Sequence, residues 1–249
     1  MSLIQSEALV LRTYPYAESA RIVVLLTRER GQIRAIAYGA RKPGTAFGSS
    51  LELLTHVRAT CDVRENRDLA TLKDCEILNS SWSRLENHLE ASFYFHYFSE
   101  LLAEFSQLGE KHDEVFRLTL AILDHCAAAP LEFLARYFEV WLLKLEGLWP
   151  ALDFCSRCAA PLAPVGGRLE EDAGGFICAR CGGGTGMLVT PAAIEVLATI
   201  LHAHPSKLTT ARWAPAVRKN IEALNLKLLH YHLEKPLKTY HFLAEFKSC

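Results

Sequence analysis

At 249 residues the chain is long enough for one large domain or two to three small ones. Half of its residues are hydrophobic and 22% are charged, which excludes a disordered polyelectrolyte, and no apolar run reaches the roughly 20 residues needed to span a bilayer. The net charge of −1 demands no polyanionic partner, yet it is unevenly spread: 11 Lys/Arg against 9 Asp/Glu in residues 1–80, 5 against 12 in 81–154, and 11 against 7 in 155–249.

The start, MSLIQSEALVLRTYPY, lacks a basic region followed by an apolar core and a small-residue cleavage site, so the expected location is the cytoplasm. Residues 1–79 then read as β. The runs EALVLRTY, ARIVVLLT, GQIRAIAYG, LELLTHVRATCDV and LATLKDCEIL are separated by turn-like stretches. The fourth run alternates, with Leu51, Leu53, Thr55, Val57, Ala59, Cys61 and Val63 on one face. Four or five short strands in this length predict a small barrel, of which the OB-fold is the commonest with a binding role.

Within this segment YGARKPG places Arg41 and Lys42 on a Gly/Pro-flanked loop, with Tyr38 before them and Phe47 after. Arg34 falls on the same strand face as Tyr38. Basic groups track phosphates and rings stack on bases, which suits sequence-tolerant binding of single strands. The bland alternative is a solvated hairpin loop.

Residues 80–150 read as helical. Ser83 and Glu86 form a capping box ahead of Leu85, Leu89, Phe93, Tyr97, Leu101 and Phe105. A second helix follows Asp113, and a third follows Pro130 and stops at Gly147. The aromatic stripe Phe93, Phe95, Tyr97 and Phe98 is expected to be packing core.

Residues 151–190 hold Cys155, Cys158, Cys178 and Cys181, four of the eight cysteines, spaced Cys-x2-Cys-x19-Cys-x2-Cys. In a reducing compartment such pairs predict a metal site rather than disulfides. Two knuckles offering four thiolates suit tetrahedral Zn2+, with iron–sulfur as the alternative. Four sulfurs close the coordination shell, and no His lies between Cys155 and Cys181, so the expected role is structural rather than hydrolytic. Cys61, Cys75, Cys126 and Cys249 are expected to be inert.

Thr190 before Pro191 marks a further helix start, and one or two helices are predicted over about 191–203 and 214–233. The terminal segment 191–249 is basic and includes Arg218 and Lys219, a second candidate phosphate surface or simply a solvated helix face. No Walker A, GxSxG, HExxH or GxGxxG motif occurs, so no enzyme is predicted.

The order of parts resembles the RecO family of bacterial recombination mediators. The resemblance rests on EALVLRTYPYAESARIVVLLTRERGQIRAIAYGARK, RYFEVWLLKLEGLWPALDFCSRC and GGFICARC, and covers nearly the whole chain. It implies an α+β protein with an N-terminal OB-fold, a helical bundle and an inserted zinc module. It also implies DNA repair and recombination without enzymatic activity: binding of ssDNA and dsDNA, and strand annealing without ATP. The implied partners are RecR, the acidic Phe-ending tail of single-strand-binding protein (SSB) and, indirectly, RecA. The implied place is the cytoplasm, at the nucleoid during repair. By resemblance Arg34, Arg41 and Lys42 match the family's basic strand and loop, and the four cysteines match its zinc ligands. Arg136 likewise matches a basic bundle residue that meets the SSB tail. The loop departs from the family in reading ARKPGTAFGSS, with Pro-Gly where a further basic residue and Ser are common. A competing reading is a zinc-ribbon adaptor that binds proteins through the acidic bundle and DNA only incidentally.

Overall fold

The computed structural model describes residues 2–64, 68–81, 89–106, 109–163, 165–170, 174–182, 184 and 186–248. The chain forms two compact units, 1–120 with 237–249, and 121–236. This division cuts across the four segments read from the sequence.

The first unit is built on a five-stranded sheet: β1 (Ser2–Tyr16), β2 (Ala20–Thr27), β3 (Gly31–Ala37), β4 (His56–Val63) and β5 (Ala70–Asn79). Its order, β1-β2-β3-β5-β4, closes into a barrel. Closure is possible because β1 is long. Its first half pairs with β4 and its second half with β2. A short parallel pairing, Ala35 with Ala70 and Ile36 with Thr71, joins β3 to β5.

The interior is filled largely by small and medium side chains, among them Ala8, Val10, Val23, Ala35, Val57, Ala59 and Cys61, as a narrow barrel requires. Leu9 and Leu11, on the other face of β1, are equally buried. They lie beneath α1 (Leu89–Phe105), whose Ser99 hydroxyl donates to the Leu11 carbonyl at 2.6 Å. This double burial explains why β1 reads as a continuous apolar run rather than an alternating one.

The fourth strand begins later than its alternation suggested. Gly48–Leu51 is a 3-10 turn, and Leu54 adopts a left-handed φ of 52° with its side chain fully buried. Asp62, on the opposite face of the alternation from Ala59 and Cys61, is also buried.

The predicted capping box at Ser83 and Glu86 lies outside the described residues. In α1 the aromatic stripe is core, as expected. Phe95, Tyr97 and Phe98 are buried, and Phe93 packs on Phe246 with ring centroids 4.9 Å apart. Gln32 donates both amide hydrogens to the α1 C-terminus, at Ala103 (2.8 Å) and Ser106 (2.7 Å), satisfying carbonyls left over by the helix.

The helix α2 (Asp113–His125) starts where predicted, and Arg28 reaches its first residue, Asp113, at 2.7 Å. A last helix, α6 (Lys238–Ser248), was not expected from the sequence. It docks through Glu100, a buried carboxylate that accepts from the backbone N–H groups of Lys238 (3.1 Å) and Thr239 (2.8 Å) and from the Thr239 hydroxyl. An anion at a helix N-terminus meets both the unpaired N–H groups and the positive end of the dipole.

The second unit contains α3 (Leu131–Leu145), a three-stranded sheet of β6 (Gly167–Glu170), β7 (Gly175–Ile177) and β8 (Met187–Val189) in the order β7-β6-β8, then α4 (Pro191–His202) and α5 (Pro215–Leu233). The predicted signals hold. Thr190 accepts from the Ala193 N–H at 3.2 Å, with Pro191 in the first turn, and α3 ends at Gly147 with φ 73°. Tyr137 and Trp141 of α3 donate to the last carbonyls of α4, at Ala203 (2.9 Å) and Ile200 (3.0 Å). Among the described residues no helix is long and apolar enough to cross a membrane.

Candidate nucleic-acid interface and four-cysteine centre

The outward face of β1, β2 and β3 is ordered by register. Arg12 pairs across to Val24, and Val24 to Arg34, forming one row; Tyr14, Ile22 and Ile36 form the next. Partners in register share a face, so the two arginines flank Val24 with one strand between them, about 10 Å apart. A register shift between Val10 and Arg12 lies immediately before this row. It is the kind of bulge that re-aims side chains beside binding sites. The face opens into a groove of about 640 Å³ whose far wall is Ala103 and Glu104 at the end of α1.

Of the residues predicted to touch nucleic acid, Arg34 points outward, and Tyr38, Arg41 and Lys42 are exposed on the loop that follows β3. Tyr38 is 62% exposed. The loop is tied to the β1–β2 turn: the Arg41 backbone N–H donates to Ser19 and its guanidinium to Ala17, both at 3.1 Å. Arg41 therefore spends part of its donor set on holding the loop.

Phe47 corrects the sequence reading. Its ring is only 8% exposed and belongs to the barrel core. A side chain so buried has no free face for a base. Arg12 and Tyr14 were missed. Their signal was present in LVLRTY, where Arg and Tyr alternate with Leu and Thr, but only the register brings them beside Arg34.

In the second unit Lys219 is exposed, whereas Arg218 is committed to Glu132 at 2.9 Å. Arg136 also departs from expectation. It is 1% exposed, ion-paired to Glu139 at 2.8 Å and to Glu222 at 3.2 Å. Glu139 is fully buried and accepts from the Asn225 amide at 2.8 Å. A surface contact with an acidic peptide is not available to such a guanidinium. An open cavity lies elsewhere in this unit: about 330 Å³, lined by Leu148, Trp149, Leu169, Lys227, Tyr231 and His232 among others.

The structure brings the four predicted cysteines together. Their sulfurs all lie within 4.8 Å of one another. Two similar turns present them. The Ala159 N–H donates to the Cys155 carbonyl (2.8 Å), and the Gly182 N–H to that of Cys178 (3.0 Å). Each turn directs backbone N–H groups at a sulfur. The N–H of Cys178, ahead of those of Cys158 and Arg157, lowers the Cys155 thiol to about 6. That of Cys181 lowers Cys178. Cys181 is instead pushed up to about 12, first by its hydrogen bond with Cys158 and then by that with Cys178. A bound cation would favour four thiolates.

The donor set fits a tetrahedral thiophilic ion. Metal–sulfur bonds of about 2.3 Å give tetrahedron edges of about 3.8 Å, and Cys158 and Cys178 lie 3.6 Å apart. Glycine is needed at Gly186, where φ is 82° and a Cβ would sit 2.6 Å from the Leu169 carbonyl. Arg157 bridges the turns, donating to the Cys181 carbonyl (2.9 Å) and to Glu170 (3.1 Å). By contrast, burial pushes the Cys61 thiol in the barrel core up to about 12, the behaviour of an inert core residue.

Two family descriptions match the chain: Recombination protein O N terminal over residues 1–81, and Recombination protein O C terminal over residues 86–241. The chain is similar to the DNA repair protein RecO of Anaeromyxobacter sp. (strain K), 36% identical over 250 residues that cover 98% of this chain and 97% of that protein. It is similar to the DNA repair protein RecO of Pelotomaculum thermopropionicum, 32% identical over 249 residues, 99% and 95% of the two chains. The corresponding protein of Symbiobacterium thermophilum is 29% identical over 255 residues, 100% and 99%. With both halves matched and near-complete coverage, the chain belongs to the RecO family of DNA repair proteins.

Proposed function

We propose that this protein is a recombination mediator that binds ssDNA and dsDNA, anneals complementary strands without ATP, and acts with RecR in loading RecA onto SSB-coated strands. The observation that carries the DNA-binding part is the exposed basic surface of the barrel. Arg34 projects from β3, and the pinned loop holds out Tyr38, Arg41 and Lys42. Groups of this kind grip phosphates while leaving base edges free, as annealing requires. The strand order supports reading the barrel as an OB-fold. The C-terminal helices supply a secondary phosphate contact through Lys219, since Arg218 is held by Glu132. RecR and RecA are partners implied by family membership.

The SSB tail is assigned to the cavity beside Trp149 rather than to Arg136. Leu148, Leu169 and the Trp149 ring suit a terminal aromatic side chain, and Lys227 and His232 suit carboxylates. The four cysteines hold one Zn2+ as a structural ion.

The test is the salt dependence of binding to a mixed-sequence single-stranded oligonucleotide. Affinity should fall steeply with salt. Replacing Arg34, Arg41 and Lys42 by Ala should weaken binding and lower the logarithmic salt slope by about 2, since each phosphate contact on a single strand contributes about 0.7. Strand annealing should fall in the same variant. A folded variant with unchanged affinity and slope removes this surface from the function.

A further inference from the structure

We propose that the groove on the outer face of β1–β3 is a subsite for an unpaired nucleotide. Its base would lie on Tyr14 over Ile22 and Val24, and its flanking phosphates on Arg12 and Arg34. The inference rests on the nucleic-acid reading of the barrel and adds to it a discrimination between unpaired and paired strands.

Three observations carry it. The first is unspent capacity. Tyr14 is 46% exposed, and among the described residues neither it nor Arg34 has a hydrogen-bond or ion-pair partner in the protein. Arg12 has only Glu104, at 3.8 Å, too long for a hydrogen bond. Its guanidinium donors remain available. The second is the arrangement of the face. The arginine row and the Tyr14 row are adjacent on the same strands, about 7 Å apart along them. An apolar floor runs down β2, with Ile22 beside the Tyr14 ring and Val24 between the two arginines, so a base can be desolvated while its phosphates stay on the basic row. The third is the wall. Glu104 closes the groove with a carboxylate that faces Arg12. Negative charge there, and at Asp68, which also lines the groove, disfavours a phosphate beside these carboxylates and favours the base.

A base in a duplex already has both faces covered by its neighbours. It can stack on Tyr14 only after leaving the stack, which costs energy a single strand does not spend. Glu104 also competes with phosphate for Arg12, so the carboxylate weakens strand binding and its removal should strengthen it.

The experiment measures binding of the full chain to a short oligothymidylate and to a blunt hairpin duplex at one salt concentration, together with cross-linking to a 5-iodouracil oligonucleotide. Tyr14→Ala should weaken the single strand about tenfold, the loss of one stacked base. It should change the duplex less than twofold, and Tyr14→Phe should keep wild-type affinity. Glu104→Gln should tighten the single strand severalfold, and the photocross-link should map to Tyr14. The proposal is overturned if Tyr14→Ala binds the single strand normally while a variant with only Arg41 and Lys42 replaced, which leaves the groove intact, does not; the barrel then binds DNA but not through this groove. Equal losses on both substrates also overturn it, because the discrimination is then absent. If neither variant changes binding, the nucleic-acid reading of the barrel fails and the groove with it. Should Tyr14→Ala fold poorly, the cross-link position and Glu104→Gln decide, and a cross-link outside the groove or a weaker Glu104→Gln variant overturns the assignment.

Discussion

Arg136 shows how far a residue's surroundings can depart from its type. A lone guanidinium within an apolar helix invites a surface role, but here it is spent on Glu139 and Glu222 inside the second unit. Taking ions out of water is costly, and the arrangement holds only because each charge has a partner and Asn225 adds a further donor. Breaking it is therefore severe. Arg136→Ala leaves Glu139 buried and uncompensated and should lower stability by about 3–5 kcal/mol in urea unfolding. Arg136→Met combined with Glu139→Leu should recover part of that loss. A peptide-binding defect in Arg136→Ala alone would thus report unfolding, whereas normal stability in that variant would refute the buried network. Phe47 and Tyr38 give the complementary lesson. They are nine residues apart on one loop, yet one ring sits in the barrel core and the other in water.

At the scale of elements, the three short strands β6–β8 have little to hold them. They bury few side chains of any size, chiefly Leu169, Phe176, Ile177 and Val189, and each strand has only three or four residues. Such a sheet is marginal by itself, and the four sulfurs provide the missing constraint. Protein purified without chelator should carry about one zinc per chain by elemental analysis, as a single tetrahedral site requires. Cys155→Ser with Cys158→Ser should lower the melting midpoint by about 4–8 °C, which corresponds to about 2 kcal/mol for a chain of this size. It should also open residues 155–189 to proteolysis while leaving oligonucleotide affinity near wild type. A variant that melts normally but loses DNA binding would make the centre functional rather than structural. The reach of α6 back to Glu100 shows the same logic with a carboxylate as the clip.

For the whole molecule, the two compact units allow a division of labour. The barrel unit carries the exposed basic loop and the groove, and the second unit carries the cavity beside Trp149 and the cysteine centre. Variants should then separate the two activities. Lys227→Glu with Tyr231→Ala should reduce binding of a fluorescent SSB-tail peptide by tenfold or more, a loss of about 1.4 kcal/mol. The same variant should leave oligonucleotide binding by the barrel unchanged, and the Arg34, Arg41 and Lys42 variant should behave in the opposite way. If both variants weaken both ligands equally, the division fails.

Features whose determinants are local were open to reading from the sequence alone. The Cys-x2-Cys pairs bring their ligands together through their own turns. Thr190-Pro191 caps its helix within one turn, and the β runs show their period along a few residues. The RecO resemblance likewise rests on contiguous stretches. What only the tertiary structure decided depends on pairing between distant segments. Arg12 and Arg34 become neighbours through the register of three strands. Glu100 finds the start of α6 138 residues later. The burial of Phe47 and Arg136 depends on what packs over them. A helix or knuckle is specified by interactions a few residues apart, but a side chain's exposure is set by elements far away in sequence. The chemistry of a residue is therefore legible in the chain, while its availability is not.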